Sequence, residues 1–197
     1  MEQSEELEFR MRIPAWSQHY TVTLNGKEVL AGTENTSYAK LDRAFKNGDS
    51  VFIAFETAPV VNDRGQGIAL QYGALVFSLP IKAKTTLTTD DGGVGKCSPE
   101  YPSIQLQPRS TWSYALSANL KPEDIKVIKT PVEGYPWDIG NSPIKLKVPA
   151  RYVKNWKLRQ HQEVPVFPET VETANDASLT LEPQGSTLLR ITEFPKF

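Results

Sequence analysis

Proline and glycine interrupt this chain at short intervals along its whole length, fifteen of the first and twelve of the second. A helix of ordinary length needs at least about ten residues free of such breaks, whereas a strand needs only about four to eight with period-two alternation. Spacing of this kind selects many short strands joined by turns, the pattern of a sandwich or barrel.

The apolar pattern fills the intervals accordingly. Over residues 7–13, Leu7, Phe9, Met11 and Ile13 alternate with Glu8, Arg10 and Arg12, which sends the four apolar side chains toward one face and a core. Pro14 ends that run, because proline cannot donate to a ladder. Residues 20–24 and 27–30 flank Asn25-Gly26, a dipeptide that tolerates the positive φ of a tight hairpin turn. Residues 38–45 form the next expected strand, followed by a turn over 46–49. In residues 51–55, Val51, Ile53 and Phe55 share one face and Phe52 takes the other. Residues 68–72 and 74–79 pair around Gly73, and the glycine-rich stretch at 63–67 is read as a turn.

The alternation fades over residues 82–102, which are rich in Thr, Asp, Gly and Ser, with a loop at 90–93; a change of domain is placed near Lys84. Further strands are expected at 103–107, 111–116, 144–148, 152–158, 178–181 and 186–191. One helical turn is expected at 121–125, with Pro122 and two acids in its first turn. The expected class is all-β: two antiparallel β-sandwiches of jelly-roll or immunoglobulin-like kind with very little helix.

Charge and composition restrict function. The 22 basic and 23 acidic residues cancel almost completely, leaving no positive field to gather nucleic acid or an anionic membrane. No apolar run approaches the ~20 residues of a membrane-spanning helix, and the acidic N-terminus is not read as a signal peptide. One cysteine, Cys97, excludes an internal disulfide and a multi-thiolate metal site. His19 and His161 are read as solvated loop histidines, and no nucleophile elbow or phosphate-binding glycine loop is present. Twenty-three acids make some pair of carboxylates inevitable, but nothing singles out one pair for glycoside hydrolysis. The expectation is no catalytic residue, no metal ligand and no cofactor in this chain.

Aromatic residues are more informative. Trp112 and Trp156 lie in strand-like runs and read as core or seam packing. Tyr135 and Trp137 sit with Asp138 in a Pro/Gly loop, where exposed rings could stack on sugar; these three are the candidate carbohydrate contacts.

Several stretches carry a family resemblance. FRMRIPAWS at 9–17 resembles the LRIPAWS stretch of family-127-type glycoside hydrolases, the β-L-arabinofuranosidase family. VTLNGK at 22–27 resembles that family's V-x-V-N-G-K hairpin. YAKLDR at 38–43 with NGDSV at 47–51 resembles its Y-x-x-I-x-R-x-W-x-x-G-D-x-V, and IALQYGALVFSL at 68–79 resembles its V-A-L-x-x-G-P-L-V-Y-x-L. STWSYAL at 110–116, VKNW at 153–156 and LEPQGSTLLRITEFP at 181–195 resemble the C-terminal part of one group of its members. Ala44-Phe45 and Ala74 depart from the pattern, standing where the family has a Trp-containing turn entry and a proline.

The resemblance implies a division of labour. In that family an (α/α)6 barrel upstream of these motifs holds the active site, with a zinc-bound cysteine nucleophile and a glutamate. Cys97 matches no catalytic position of the family, so no catalytic role carries over and zinc is expected only in the barrel. The resemblance implies a first sandwich of residues 5–84 plus 183–195, the last strand returning to it, and a second of residues 85–182. It implies a non-catalytic accessory region supporting the barrel of an enzyme that acts on arabinose-containing glycans. The barrel is the expected partner and plant-type glycans a further one; neither nucleic acid nor membrane is. The parent protein is expected in the periplasm or outside a glycan-degrading bacterium. Two other readings stand beside this: a stand-alone carbohydrate-binding module, and a small enzyme in its own right.

Overall fold

The computed structural model describes residues 5–34, 36–90, 96–158 and 165–197. The fold is all-β, with antiparallel sheets, as the punctuation of the sequence dictates. The chain divides into two compact units: one runs to Pro59 and includes Tyr72–Ala74, the other comprises Val60–Gln71 and Leu75–Phe197.

In the first unit, β1 (Glu5–Arg12) pairs with β4 (Tyr38–Phe45). Strands β2 (His19–Leu24), β3 (Lys27–Gly32) and β5 (Val51–Glu56) form a three-stranded sheet in the order β3-β2-β5. Inward side chains of both sheets make one core: Met11, Ile13, Tyr20, Val22 and Ala39 are buried, with Leu30, Leu41, Val51, Ile53 and Phe55 packed on them. Period-two alternation therefore decides the sandwich, since each strand buries one face. The alternation in β1 is obeyed unevenly. Met11 and Ile13 are buried, but Phe9 stays 43% exposed, its ring edge-on to Phe45.

The Asn25-Gly26 turn has φ of 52° and 79°, the left-handed pair that a two-residue hairpin requires. It is clasped to the turn before β5. The Asn25 side-chain amide donates to Asp49 Oδ1 at 2.8 Å, the Lys46 N–H donates to Asp49 Oδ2 at 2.8 Å, and the Ser50 N–H donates to Asn25 Oδ1 at 2.9 Å. The Lys46 N–H, then the Asn25 amide, hold the Asp49 carboxyl below its ordinary pKa, with Arg43 and Lys46 adding smaller attractions. A depressed pKa makes the clasp's contribution complete above the unfolded value of about 4, and it is lost as pH falls below that. Asp49→Asn should therefore lower the melting temperature of the first unit at neutral pH, and the gap to the natural chain should narrow as a melting series is taken down through the ordinary carboxylate range.

The second unit contains β6 (Pro59–Asp63), β7 (Gly67–Tyr72), β8 (Leu75–Pro80), β9 (Ala83–Thr88), β10 (Ser103–Pro108), β11 (Tyr114–Ala115), β12 (Lys126–Lys129), β13 (Ile144–Val153), β14 (Thr173–Pro183), β15 (Arg190–Ile191) and β16 (Glu193–Pro195). The main sheet runs β11-β13-β14-β8-β7-β16, with β12 on β13, β15 on β8 and β6 on β7. Phe77, Phe194, Ile68, Leu70, Leu116, Leu146, Val148 and Leu181 are among its fully buried side chains. The expected helical turn is a single 3-10 turn, Pro122–Asp124, whose Asp124 accepts the Lys121 N–H at 2.9 Å.

The compact units meet at Pro59, with Lys84 inside the second of them, because β8 is hydrogen-bonded to β14 through Glu182↔Ser78 and Pro183↔Phe77. The C-terminal strand returns to those strands: Ile191 lies opposite Leu79 and Phe194 opposite Ile68. The threonine-rich stretch after Ile81 is the strand β9, because β-branched threonine suits an exposed pleated ribbon, and the loop expected at 90–93 lies, Asp90 apart, outside the described residues.

Candidate functional site

The Tyr135/Trp137 loop lies between β12 and β13, a hairpin in which Lys129 pairs with Ile144. Its path is set by two glycines, Gly134 and Gly140, at φ of 68° and 81°, conformations that side chains seldom adopt. Asn141 holds the interior: its side-chain amide donates to the Glu133 carbonyl at 2.7 Å and the Tyr135 carbonyl at 2.8 Å. The Asp138 N–H donates to the Tyr135 carbonyl at 3.2 Å, and the Asn141 N–H to the Asp138 carbonyl at 3.0 Å. The loop is thus cross-linked by its own backbone, not loosely draped.

A buried ion pair ties it to the sheet. Glu182, near the end of β14, has a side chain only 7% exposed; it meets Lys145 Nζ at 2.8 Å and accepts the Gly140 N–H at 3.3 Å. Lys145 Nζ also donates to the Gly140 carbonyl at 3.1 Å. A buried carboxylate is tolerable only when paired and hydrogen-bonded in this way.

On this base stand the aromatic rings. Tyr135 is 63% exposed and Trp137 41%; Asp138 is exposed beside them. The six-membered ring of Trp137 rests on Gly185, in the 3-10 turn Gln184–Ser186: a methyl group at that glycine would lie 3.0 Å from Cε3 and 3.1 Å from Cζ3. The structure therefore gathers Tyr135, Trp137 and Asp138 into one loop. Gly185, Glu182 and Lys145 escaped the sequence reading, since they lie on other elements and carry no motif.

A second surface is apolar. Strands β9 and β10 pair as a two-stranded ribbon with Leu87 opposite Ile104 and Thr85 opposite Leu106. Leu87 and Ile104 are 62% and 65% exposed, so the ribbon presents an aliphatic face to solvent, while Lys84, Thr86, Gln105 and Gln107 alternate onto the other face. At its base the face runs into a cavity of about 410 Å³ lined by Leu106, Trp112, Leu158, Leu188 and Ile191. Among the described residues Arg190 is the one ionisable side chain lining it.

The other residues considered for chemistry are dispersed. Trp156 is 2% exposed and stacks edge-on to Trp112 at 5.2 Å and Phe167 at 5.3 Å, a packing cluster. Cys97 Sγ lies 3.0 Å from Ser103 Oγ. His19 opens β2 and is half-buried, so it is not a solvated loop residue; Nδ1 lies 3.8 Å from Glu56 Oε1. His161 lies outside the described residues. Among the described residues no three His, Cys, Asp or Glu side chains converge as a metal site.

Comparison with known proteins bears on all of this. Residues 1–57 match the family model described as beta-L-arabinofuranosidase, GH127 middle domain. No curated protein matches the chain. Among solved structures, one titled glycoside hydrolase shares the fold at TM-score 0.57 and 18% identity, over 97% of this chain and 28% of its own. A GH127 beta-L-arabinofuranosidase from Geobacillus stearothermophilus T6 does so at TM-score 0.58 and 16% identity, over 100% of this chain and 27% of its own. The resemblance read from the motifs is borne out by the family model over residues 1–57, the solved structures share the fold over the rest, and the chain spans little more than a quarter of their length.

Proposed function

We propose that this chain, whose first 57 residues match a GH127 middle domain, is a non-catalytic accessory β-sandwich region of a glycoside hydrolase acting on arabinose-containing glycans. It supports a catalytic (α/α)6 barrel supplied by the rest of a longer polypeptide. The observation that carries this reading is the aliphatic face of the β9–β10 ribbon. Paired, exposed Leu87 and Ile104 above an apolar cavity are the kind of patch that a protein surface covers. Aliphatic side chains without hydrogen-bonding groups suit a protein neighbour better than a hydroxyl-rich sugar.

The purified chain should release no arabinose from aryl arabinofuranosides, with or without added zinc. Sustained release that co-purifies with the chain would overturn the accessory reading in favour of a small enzyme. A second reading, a carbohydrate-binding module, is favoured by the exposed rings of Tyr135 and Trp137.

A further inference from the structure

We propose that the loop between β12 and β13 is a preformed platform for neutral sugar rings, with Trp137 as the stacking residue, Gly185 as its seat, and Glu133 and Asp138 excluding acidic sugars. The proposal rests on the second reading above and is independent of the docking of the β9–β10 ribbon.

Three observations carry it. First, Trp137 is seated and yet open. Its six-membered ring is held against Gly185, where no side chain would fit without moving it, while 41% of the residue faces solvent. A ring fixed before binding loses little conformational entropy on meeting a flat apolar sugar face. Second, the loop has its own scaffold, the Asn141 cross-links and the Glu182–Lys145 clamp on Gly140, so Tyr135 and Trp137 are held in one geometry. A surface held this firmly is pre-organised for a ligand and need not fold around it. Third, the loop is acidic. Residues 130–143 contain Glu133 and Asp138 and no Lys or Arg, and the nearby Lys145 is already neutralised by Glu182. Exposed carboxylates accept hydrogen bonds from sugar hydroxyls, and they repel a ligand carboxylate over a range of about 8 Å at physiological salt. The ligand class is thus a neutral, hydroxyl-rich oligosaccharide, not a uronate.

Titration calorimetry on the purified chain tests this with two probes, a linear arabino-oligosaccharide and an oligogalacturonide of equal length. The neutral probe should bind, the acidic one at least about fivefold more weakly at low salt, and the gap should narrow as salt is raised. Trp137→Ala should weaken the neutral probe about tenfold or more. Gly185→Ala keeps every binding group and asks only that the ring move, since Gly185 does not occupy the left-handed region; a threefold or larger loss is expected. Thermal melting of each variant separates lost binding from lost folding, and both positions are surface-exposed. Equal binding of the two probes, or unaltered affinity in Gly185→Ala, overturns the platform proposal while leaving a sugar-binding module standing. Unaltered affinity in Trp137→Ala likewise overturns the platform alone, whereas no binding by the natural chain overturns both.

Discussion

Phe194→Ala should cost the second unit about 4 kcal/mol, the range for truncating a fully buried aromatic side chain. Phe194 is 0% exposed and lies in β16 opposite Ile68, itself 2% exposed. The cost follows from position as well as size. From the end of β16 onward, the Leu116 N–H donates to the Pro195 carbonyl at 3.0 Å, the Phe197 N–H to the Leu116 carbonyl at 3.1 Å, and the Ala118 N–H to the Phe197 carbonyl at 3.0 Å. The last residues thus link β7 to the segment around β11, and a cavity at Phe194 opens between them. Urea titration followed by tryptophan fluorescence reads the change through the Trp112–Trp156–Phe167 cluster of the same unit. Leu87→Ala is the comparison within the same unit: a leucine 62% exposed should cost well under about 1 kcal/mol. Similar costs for the two would mean that the C-terminal strand is not part of the cooperative core.

Lys145→Met should destabilise the same unit by about 3 kcal/mol, since it leaves the Glu182 carboxylate buried with the Gly140 N–H as its remaining described donor. Removing both charges is a smaller perturbation than removing one. The double variant Lys145→Met with Glu182→Leu should recover part of the loss, because no uncompensated charge then stays in the interior. Lys145 is 27% exposed, so water relieves some of the penalty in the single variant, which keeps the expectation near the lower end for buried pairs. A double-mutant cycle on urea midpoints gives the coupling directly. Additive costs would show that the two groups do not stabilise the loop as a pair.

The strength of the pair matters because it is where fold and candidate site meet. The loop carrying Tyr135 and Trp137 has little apolar burial of its own; it is held by hydrogen bonds and by one ion pair rooted in β13 and β14. The rings and the clamp belong to different stretches of sequence, separated in the case of Gly140 and Glu182 by 42 residues. Reading Tyr135, Trp137 and Asp138 as a group required only their adjacency in a Pro/Gly loop. Reading Gly185 as the seat of Trp137 required the tertiary structure.

Similar limits apply to the strands. The hairpin at Asn25-Gly26, the inward set Val51, Ile53 and Phe55, and the alternation of Ile144, Leu146 and Val148 were legible because each is decided within a few residues by turn chemistry or by side-chain period. The strand β12 was not, since four residues carry too little alternation. The strand β9 was obscured by threonine, which reads as loop by polarity and as strand by branching. The exposed pair Leu87 and Ile104 illustrates the remainder: each is an ordinary apolar residue in sequence, and only the register that sets one opposite the other makes a patch.

By itself, then, the sequence determined the all-β class, the turns and most of the faces, because these depend on local backbone chemistry and a two-residue period. It also determined the family resemblance, carried by ordered motifs. The tertiary structure alone decided where the chain divides, which strands receive the C-terminus, and what seats the aromatic loop. Those outcomes depend on pairings between residues far apart along the chain, such as Glu182 with Ser78 and Phe194 with Ile68, for which no short stretch encodes its partner.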